Sequence, residues 1–444
     1  MSRIAMKILL LLCFSGFSLP GFSQDTASKV LPPVWDLAAC LQYAKENNIQ
    51  IRSLQLDKQS AEQDQLLAKS ALLPDLYGSA SQNFNHYNQA TATNGNALNY
   101  SGSVGLNSSW TLYRGGYLKT DIKQKDLSVQ AANFNILQQE NDITLQITQA
   151  YLNILVDKES IIYNQDLVKT SQAQLDQAQR QFKAGSVARK VVAQFEAQLA
   201  GDRYNLNAAE NAERKDKITL KQLLQLPDSK RFDIVKPDTI LSIENITDLN
   251  TVQQYALQNR PEVKNAELGV QLSDLGLSKA RAGYLPSLTL GAGIGSSYAR
   301  DPNYNVFRQF DNNFNQQVGF TLSVPIFTNR QNKTNVAKAK IDIAQAKLTL
   351  ENTKTTLALN TESAYINAQN SQSQYLSAAE QLKYNQEVFR IANQELKIGA
   401  ANIVEFYQQR NLYVQAMQSY IQAKYNAALA AKIYEFYLGT PIKL

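Results

Sequence analysis

Proline is confined to a few places in this 444-residue chain, and that confinement limits the possible folds more than any motif does. After Pro20, prolines stand only at 32, 33, 74, 227, 237, 261, 286, 302, 325 and 441, so 75–226 and 326–440 contain none. Proline removes a backbone donor and clashes with the preceding turn, so such gaps permit uninterrupted helices of many turns. Glycine is sparse in the same stretches: Gly185 and Gly201 are alone between Tyr117 and Leu226, and Gly399 between Ile326 and Leu438. The two gaps match because the chain is duplicated. At a shift of 212, Tyr43-Ala44 falls on Tyr255-Ala256 and Leu73-Pro74 on Leu285-Pro286. At a shift of 214, Gly105 falls on Gly319, Tyr113 on Phe327, Ala150-Tyr151 on Ala364-Tyr365, Lys183 on Lys397, Gly185 on Gly399 and Pro227 on Pro441. Residues 35–227 and 247–441 are therefore two copies of one unit, joined by a linker at 228–246 that holds a short strand-like run, Phe232 to Val235.

Each copy changes period twice. In 98–112, Leu98, Tyr100, Gly102, Val104, Leu106, Ser108, Trp110 and Leu112 alternate with Asn99, Ser101, Ser103, Gly105, Asn107, Ser109 and Thr111, which predicts a strand with one apolar and one polar face. Phe314 to Ile326 repeats the pattern, and weaker alternation over 76–87 and 288–299 completes one hairpin per copy, 76–112 and 288–326, with polar loops near 88–97 and 300–313. A soluble sandwich edge would alternate in the same way. The strand lengths exceed the ~9–11 residues that cross a tilted bilayer, and Tyr77, Tyr100, Trp110, Tyr298 and Phe320 are expected as membrane-interface aromatics. Four strands cannot close a membrane barrel and open edges are not tolerated in lipid, so several copies must share one; three would supply twelve strands.

The remaining halves are helical. Residues 116–184 and 330–398 predict helices of roughly 105 Å at 1.5 Å per residue, returned by helices over 187–226 and 401–438 after a glycine turn. Ile147, Ile154, Ile161, Val168, Leu175 and Phe182 recur every seven residues, and Ala368, Tyr375, Leu382, Phe389 and Leu396 repeat the row, which marks coiled-coil packing. A plain coiled-coil spacer would show the same row but leaves the hairpins unexplained.

Composition narrows the function. Charged residues make up only 18%, with Gln, Asn, Ser and Thr supplying the rest of the polar surface. Net charge is +6, or +4 without Arg3 and Lys7, and the basic residues form no run, so nucleic acid is not an expected partner. One histidine, His86, and two cysteines, Cys13 and Cys40, argue against a metal site, a cofactor or triad hydrolysis. Gly291, Gly293 and Gly295 sit at alternate strand positions with no helix start behind them, which fits a small-residue lumen face rather than a nucleotide loop. Residues 1–23 have the charged, apolar and small-residue regions of a cleaved secretory signal, followed by an N-terminal segment at 24–34. Cys13 lies inside the apolar run and lacks the small neighbour a lipidation site wants. No later segment reaches the ~18 apolar residues of a membrane helix.

With helix, Leu-Pro (73–74 and 285–286), hairpin, Trp110 to Gly116 or Val324 to Arg330, long helix, glycine turn and return helix occurring twice, the whole mature chain resembles outer-membrane efflux proteins of the TolC family. That resemblance implies an α+β, mostly α, internally duplicated fold: a homotrimer whose 12-stranded outer-membrane β-barrel continues into a periplasmic α-helical barrel, with 228–246 as an equatorial linker and 442–444 as a tail. It implies a passive exit duct in the outer membrane of a Gram-negative bacterium, with no catalysis, served by a periplasmic adaptor and, through it, an inner-membrane pump. It places adaptor contact at the helix tips: Phe182, Lys183, Gly185, Ser186 and Val187, and Leu396, Lys397, Gly399, Ala400 and Ala401. The family's acidic constriction falls on Glu405, while Gln408 occupies the second acidic position, and Arg189 and Lys190 stand where they could pair with Glu405 to hold the tips shut. Without the resemblance, Glu405 is an ordinary surface charge. The competing function is a non-conducting trimeric scaffold or surface fibre, which would need only one helix per chain.

Overall fold

The computed structural model describes residues 34–86, 98–226, 232–237, 246–300, 304–398, 400 and 402–442. The signal segment with Cys13, residues 24–33, the whole 88–97 loop with residue 87, residue 227, much of the 228–246 linker, residues 301–303, Gly399, Ala401 and residues 443–444 lie outside them.

The chain runs β1 (Val34–Trp35), α1 (Leu37–Asn47), α2 (Ile49–Ser70), β2 (Tyr77–His86), β3 (Leu98–Arg114), α3 (Tyr117–Lys183) and α4 (Arg189–Leu224). It continues with β4 (Asp233–Ile234), α5 (Leu249–Asn259), α6 (Pro261–Ala282), β5 (Ser287–Ala299), α7 (Val306–Asn312), β6 (Asn315–Ser323), α8 (Gln331–Ile398) and α9 (Ile403–Tyr437). The leading helix of each copy is in fact two. Asn48 ends α1 and caps α2, its Oδ1 accepting from the Gln50 and Ile51 N–H groups, and Pro261 opens α6 at the first-turn position where its missing N–H costs nothing.

β2, β3, β5 and β6 form one antiparallel sheet in that order, leaving β2 and β6 as open edges. Register assigns the faces, because paired residues point the same way. Ala80 pairs with Val104, Phe84 with Tyr100, Leu106 with Ile294, Trp110 with Leu290, and Leu290 in turn with Phe320. The other face carries Ser79, Ser103, Gly105, Asn107, Gly291, Gly293, Gly295, Gln317 and Gly319. Three expectations are corrected. β6 ends at Ser323, before Pro325, whose lack of an N–H suits it poorly to a ladder. The 300–313 connection contains α7. Tyr77 pairs with Asn107 and so belongs to the polar face, not to the apolar belt.

The sheet meets the helices at a tight junction. Gly115 has φ +57, and a Cβ there would lie 2.7 Å from the Ala282 carbonyl oxygen and from Leu285 Cβ, so glycine is required twice over. Trp110 Nε1 donates to the Leu72 carbonyl at 2.7 Å, and the Asp75 carboxylate accepts from the Ser109 N–H. Half-way along α3, the parallel pair β1 and β4 knots the chain over a core of Trp35, Cys40, Ile51, Tyr151, Ile154, Leu155, Leu220, Leu224 and Tyr425. Tyr151 Oη donates to the Val235 carbonyl at 2.6 Å, and Lys158 and Lys217 both reach Asp233. Cys40 is fully buried there, and burial pushes its thiol up to about 12, followed by the nearby Asp36 charge. Among the described residues, no helix is long and apolar enough to cross a membrane.

Candidate functional site

The far ends of the two helical hairpins form the candidate site. α3 stops at Lys183 because Gly185 takes φ +72: its N–H bonds the Phe182 carbonyl at 3.0 Å and the Ser186 N–H the Gln181 carbonyl at 2.9 Å, which closes the last turn. A Cβ at Gly185 would meet nothing within 4 Å, so backbone conformation alone requires the glycine. At the second tip the Ala400 N–H returns to the Glu395 carbonyl at 2.9 Å, and Asn402 starts α9 by accepting from the Val404 N–H at 3.0 Å. Glu405 then occupies the first turn of α9, where a carboxylate is favoured by the helix dipole and matches the Asn-x-x-Glu capping pattern.

Phe182, Lys183, Ser186, Lys397 and Ala400 are exposed, while Val187 and Leu396 turn inward. Those two, with Gln174, Gln181, Phe195 and Ile403, line a cavity of about 330 Å³ between the hairpin ends. Glu405 and Gln408 are exposed and lie three residues apart on one face of α9. Arg189 does not reach Glu405 within the chain: its guanidinium forks onto Glu196 at 3.0 and 3.1 Å, one carboxylate oxygen per nitrogen. Lys190 is exposed beside it. Gly399 and Ala401 lie outside the described residues.

Behind the tips the two hairpins are held by aromatic contacts. Phe406 is fully buried among Leu175, Val192, Phe195 and Leu199. Its ring centre is 6.5 Å from that of Phe195 and 5.8 Å from that of Phe389, and Phe389 stacks on Tyr413 at 5.1 Å and 10°.

One turn deeper lies a group that the sequence reasoning missed. Arg410 of α9 donates to Asp202 Oδ2 of α4 at 2.6 Å, with the two side chains 3% and 2% exposed. Ser171 of α3 also donates to Asp202 Oδ2, and Gln198 Nε2 to its other oxygen at 3.0 Å. Three helices from both repeats thus converge on one buried carboxylate. Burial pushes the neighbouring Tyr407 phenol up to about 12, so it stays a neutral hydroxyl beside the pair. The signal was present in the spacing. Arg410 interrupts the inward row Ile403, Phe406, Tyr413, and Asp202 follows Val192, Phe195 and Leu199 on the same face of α4. A charge on a buried stripe calls for a partner.

The sheet brings the other predicted residues to two levels. Trp110 and Phe320 sit towards the helical end of the apolar face, and Tyr100 and Tyr298 towards the loop end, with ring centres 6.4 Å apart. Val318, Phe320 and Leu322 are 74%, 69% and 64% exposed, an apolar surface that water would not tolerate over this extent.

The profile of the family described as outer membrane efflux protein matches residues 40–225 and 252–440, one segment per repeat. Outer membrane protein TolC of Escherichia coli (strain K12) is 25% identical over 445 residues, covering 96% of this chain and 85% of that protein. Outer membrane protein TolC of Vibrio cholerae is 26% identical over 331 residues, 72% of each. Among solved structures, the CmeC outer membrane channel of Campylobacter jejuni superposes with a TM-score of 0.78 at 18% identity, covering 91% of this chain and 85% of that one. These findings support the duct and give the scaffold reading no support.

Proposed function

The chain belongs to the outer membrane efflux protein family and is an outer-membrane exit duct, and from that premise we propose how its residues assemble and gate the passage. Three copies close their four-stranded sheets into one twelve-stranded barrel, the β2 edge of each pairing with the β6 edge of the next. The observation that carries this is the sheet itself: an apolar face of Val104, Leu106, Ile294, Val318 and Phe320 backs onto a face of Ser, Asn, Gln and Gly, with two unpaired edges. The polar face lines a wetted lumen, and the four long helices per copy continue it through the periplasm.

The tips are the gate and the docking end. Glu405 from each copy converges on the axis, where the summed negative charge attracts cations. Gln408 on the same face makes the ring a single layer of carboxylates. The two tips, on which Phe182, Lys183, Ser186, Lys397 and Ala400 are exposed, meet a periplasmic adaptor, which couples the duct to an inner-membrane pump. Arg189, held by Glu196, stiffens the first tip rather than pairing with Glu405 inside the protomer.

Single-channel current through the purified protein in a planar bilayer tests this. Native openings should be small and cation-selective, and Glu405→Gln should lose selectivity with conductance retained. Openings indifferent to Glu405 would remove the gate assignment, and a lack of current from well-inserted protein would remove the assembly.

A further inference from the structure

The short helix α7 lies on the wrong side of the sheet to guard the lumen. Its carbonyl at Phe310 accepts from Ser296 Oγ at 2.6 Å, and the Phe310 ring centre is 5.2 Å from that of Tyr298. Ser296 pairs with Val104 and Tyr298 with Gly102, so both belong to the apolar face. Asn313 Nδ2 donates to the Ser297 carbonyl at 2.7 Å, and Gln309 Oε1 accepts from the Ala299 N–H at 3.0 Å. α7 therefore folds back over β5, an interior strand, and away from the open β2 and β6 edges where other copies join. It also resolves an oddity of that face: a serine hydroxyl directed at lipid would be unsatisfied, and α7 both bonds it and leaves it only 9% exposed.

The level is set by arithmetic. From Leu288, at the helical end of the apolar face, to the stretch Ser296 to Ala299 that α7 bonds is eight to eleven residues, about 27–37 Å along a strand and about 21–28 Å along the membrane normal at a tilt of roughly 40°. The apolar band of such barrels is about 25 Å tall. α7 thus sits at its outer margin, where hydrocarbon gives way to headgroups. What α7 turns away from the sheet suits that zone. Phe307 is 83% exposed and Tyr304 46%, and the Arg308 guanidinium lies 5.7 Å from the Tyr304 ring centre. Aromatic bodies with a cation beside them are favoured at the interface and wasteful in water.

We propose that α7 is a lipid-contact element: an in-plane anchor that lies in the headgroup zone of the outer leaflet, with Phe307 and Tyr304 directed to the acyl boundary and Arg308 at the phosphate level. The proposal rests on the outer-membrane placement of the sheet and adds to it a lipid contact outside the strands.

Nitroxide accessibility in the full-length protein tests it, since the only cysteine among the described residues, Cys40, is buried. The protein is reconstituted in phosphatidylcholine–phosphatidylglycerol vesicles and labelled in turn at Phe307→Cys, at Val318→Cys on the apolar face and at Asn83→Cys on the polar face. The ratio of oxygen to nickel-chelate collisions at Phe307 should exceed that at Asn83 by roughly threefold or more and lie nearer the Val318 value. A Phe307 label as open to the nickel chelate as the Asn83 label overturns the proposal. If Phe307→Cys does not assemble, Tyr304→Cys carries the same reading. A water-accessible Val318 label would instead bring down the membrane placement of the sheet, and α7's role with it.

Discussion

Along α3 the inward positions are filled mainly by large side chains, among them Ile143, Ile147, Leu152, Ile154, Leu155 and Leu167, whereas the matching helix α8 buries Ala339, Ala364, Ala368, Ala378 and Ala392 with Leu357 and Leu382 as its larger apolar side chains. α8 instead turns Leu348, Leu359, Ile366, Leu376 and Tyr384 outward, the last 64% exposed. Both helices descend from one sequence unit and both keep a seven-residue rhythm, so the difference lies in where the large side chains were kept. The first repeat spends them on the protomer's own core. The second packs closely with alanine and leaves its bulk exposed, where the assembly proposed above would set it against neighbouring copies.

The asymmetry is sharpest at Arg410. By the 214-residue shift it corresponds to Glu196, and its partner Asp202 corresponds to Ala416, so the pair joining the hairpins has no counterpart in the other copy. Glu196 is used locally, by Arg189. Removing one member of a buried pair strands the other, so Arg410→Ala should cost about 3–5 kcal/mol, seen as a large drop in the thermal midpoint. Replacing both, as Asp202→Leu with Arg410→Met, should restore most of it. A small loss for the single variant would mean that the aromatic contacts around Phe406 alone hold the hairpins together.

Ile154→Ala gives α3 the residue that α8 has at Ala368. It should destabilise by about 2–5 kcal/mol, because Ile154 is fully buried and the cavity cannot collapse. Leu376→Ser, on a side chain 56% exposed, should leave the protomer's helicity unchanged and lower the temperature at which oligomers dissociate in detergent. The reverse pattern would show that the second repeat, not the first, carries the protomer core.

The tips differ in kind as well. Gly185→Ala places a side chain in the left-handed region with open space around it, for a cost of about 1–2 kcal/mol and no clash. Hydrogen exchange confined to the last turns of α3 and the first of α4 should rise, with the equatorial core unaffected. Exchange rising equally along α3 would show that the turn is coupled to the whole hairpin.

How far the sequence alone reaches follows from what each level of structure depends on. The long helices, the duplication and the two-faced strands depend on breakers and period, which are local, so Pro74, Gly185 and the alternation through Trp110 were sufficient. Tyr77 was misplaced because parity within a strand is settled by register across strands, and only the pairing with Asn107 shows it. α7 was hidden because seven residues cannot show a helical period, and its stability comes from the Ser296 and Gln309 bonds to β5. Arg189 does not pair with Glu405 within the chain because its guanidinium is taken by Glu196, two turns along the same helix.

The smallest effect expected separates the repeats by pH. Asp157 of α3 has an oxygen buried without a partner, and burial, with Asp216 and Glu213 close by, pushes its pKa up to about 7. Ser371 occupies the corresponding position of α8 and carries no charge. A carboxyl whose folded pKa lies above its unfolded value of about 3.8 binds its proton more tightly when folded. Between about pH 4 and 7 the folded chain therefore holds more protons than the unfolded one, and stability falls as pH rises through that window. Asp157→Asn removes the group from titration. Its thermal midpoint should track the native one at pH 4 and rise above it progressively towards pH 8, by a modest amount because the residue is only partly buried and water screens it. Ser371→Asn should show no pH-dependent difference. A constant offset for Asp157→Asn across the range would mean that the carboxyl ionises normally and that the neighbouring Lys158 and Lys217, both drawn to Asp233, offset the two acids.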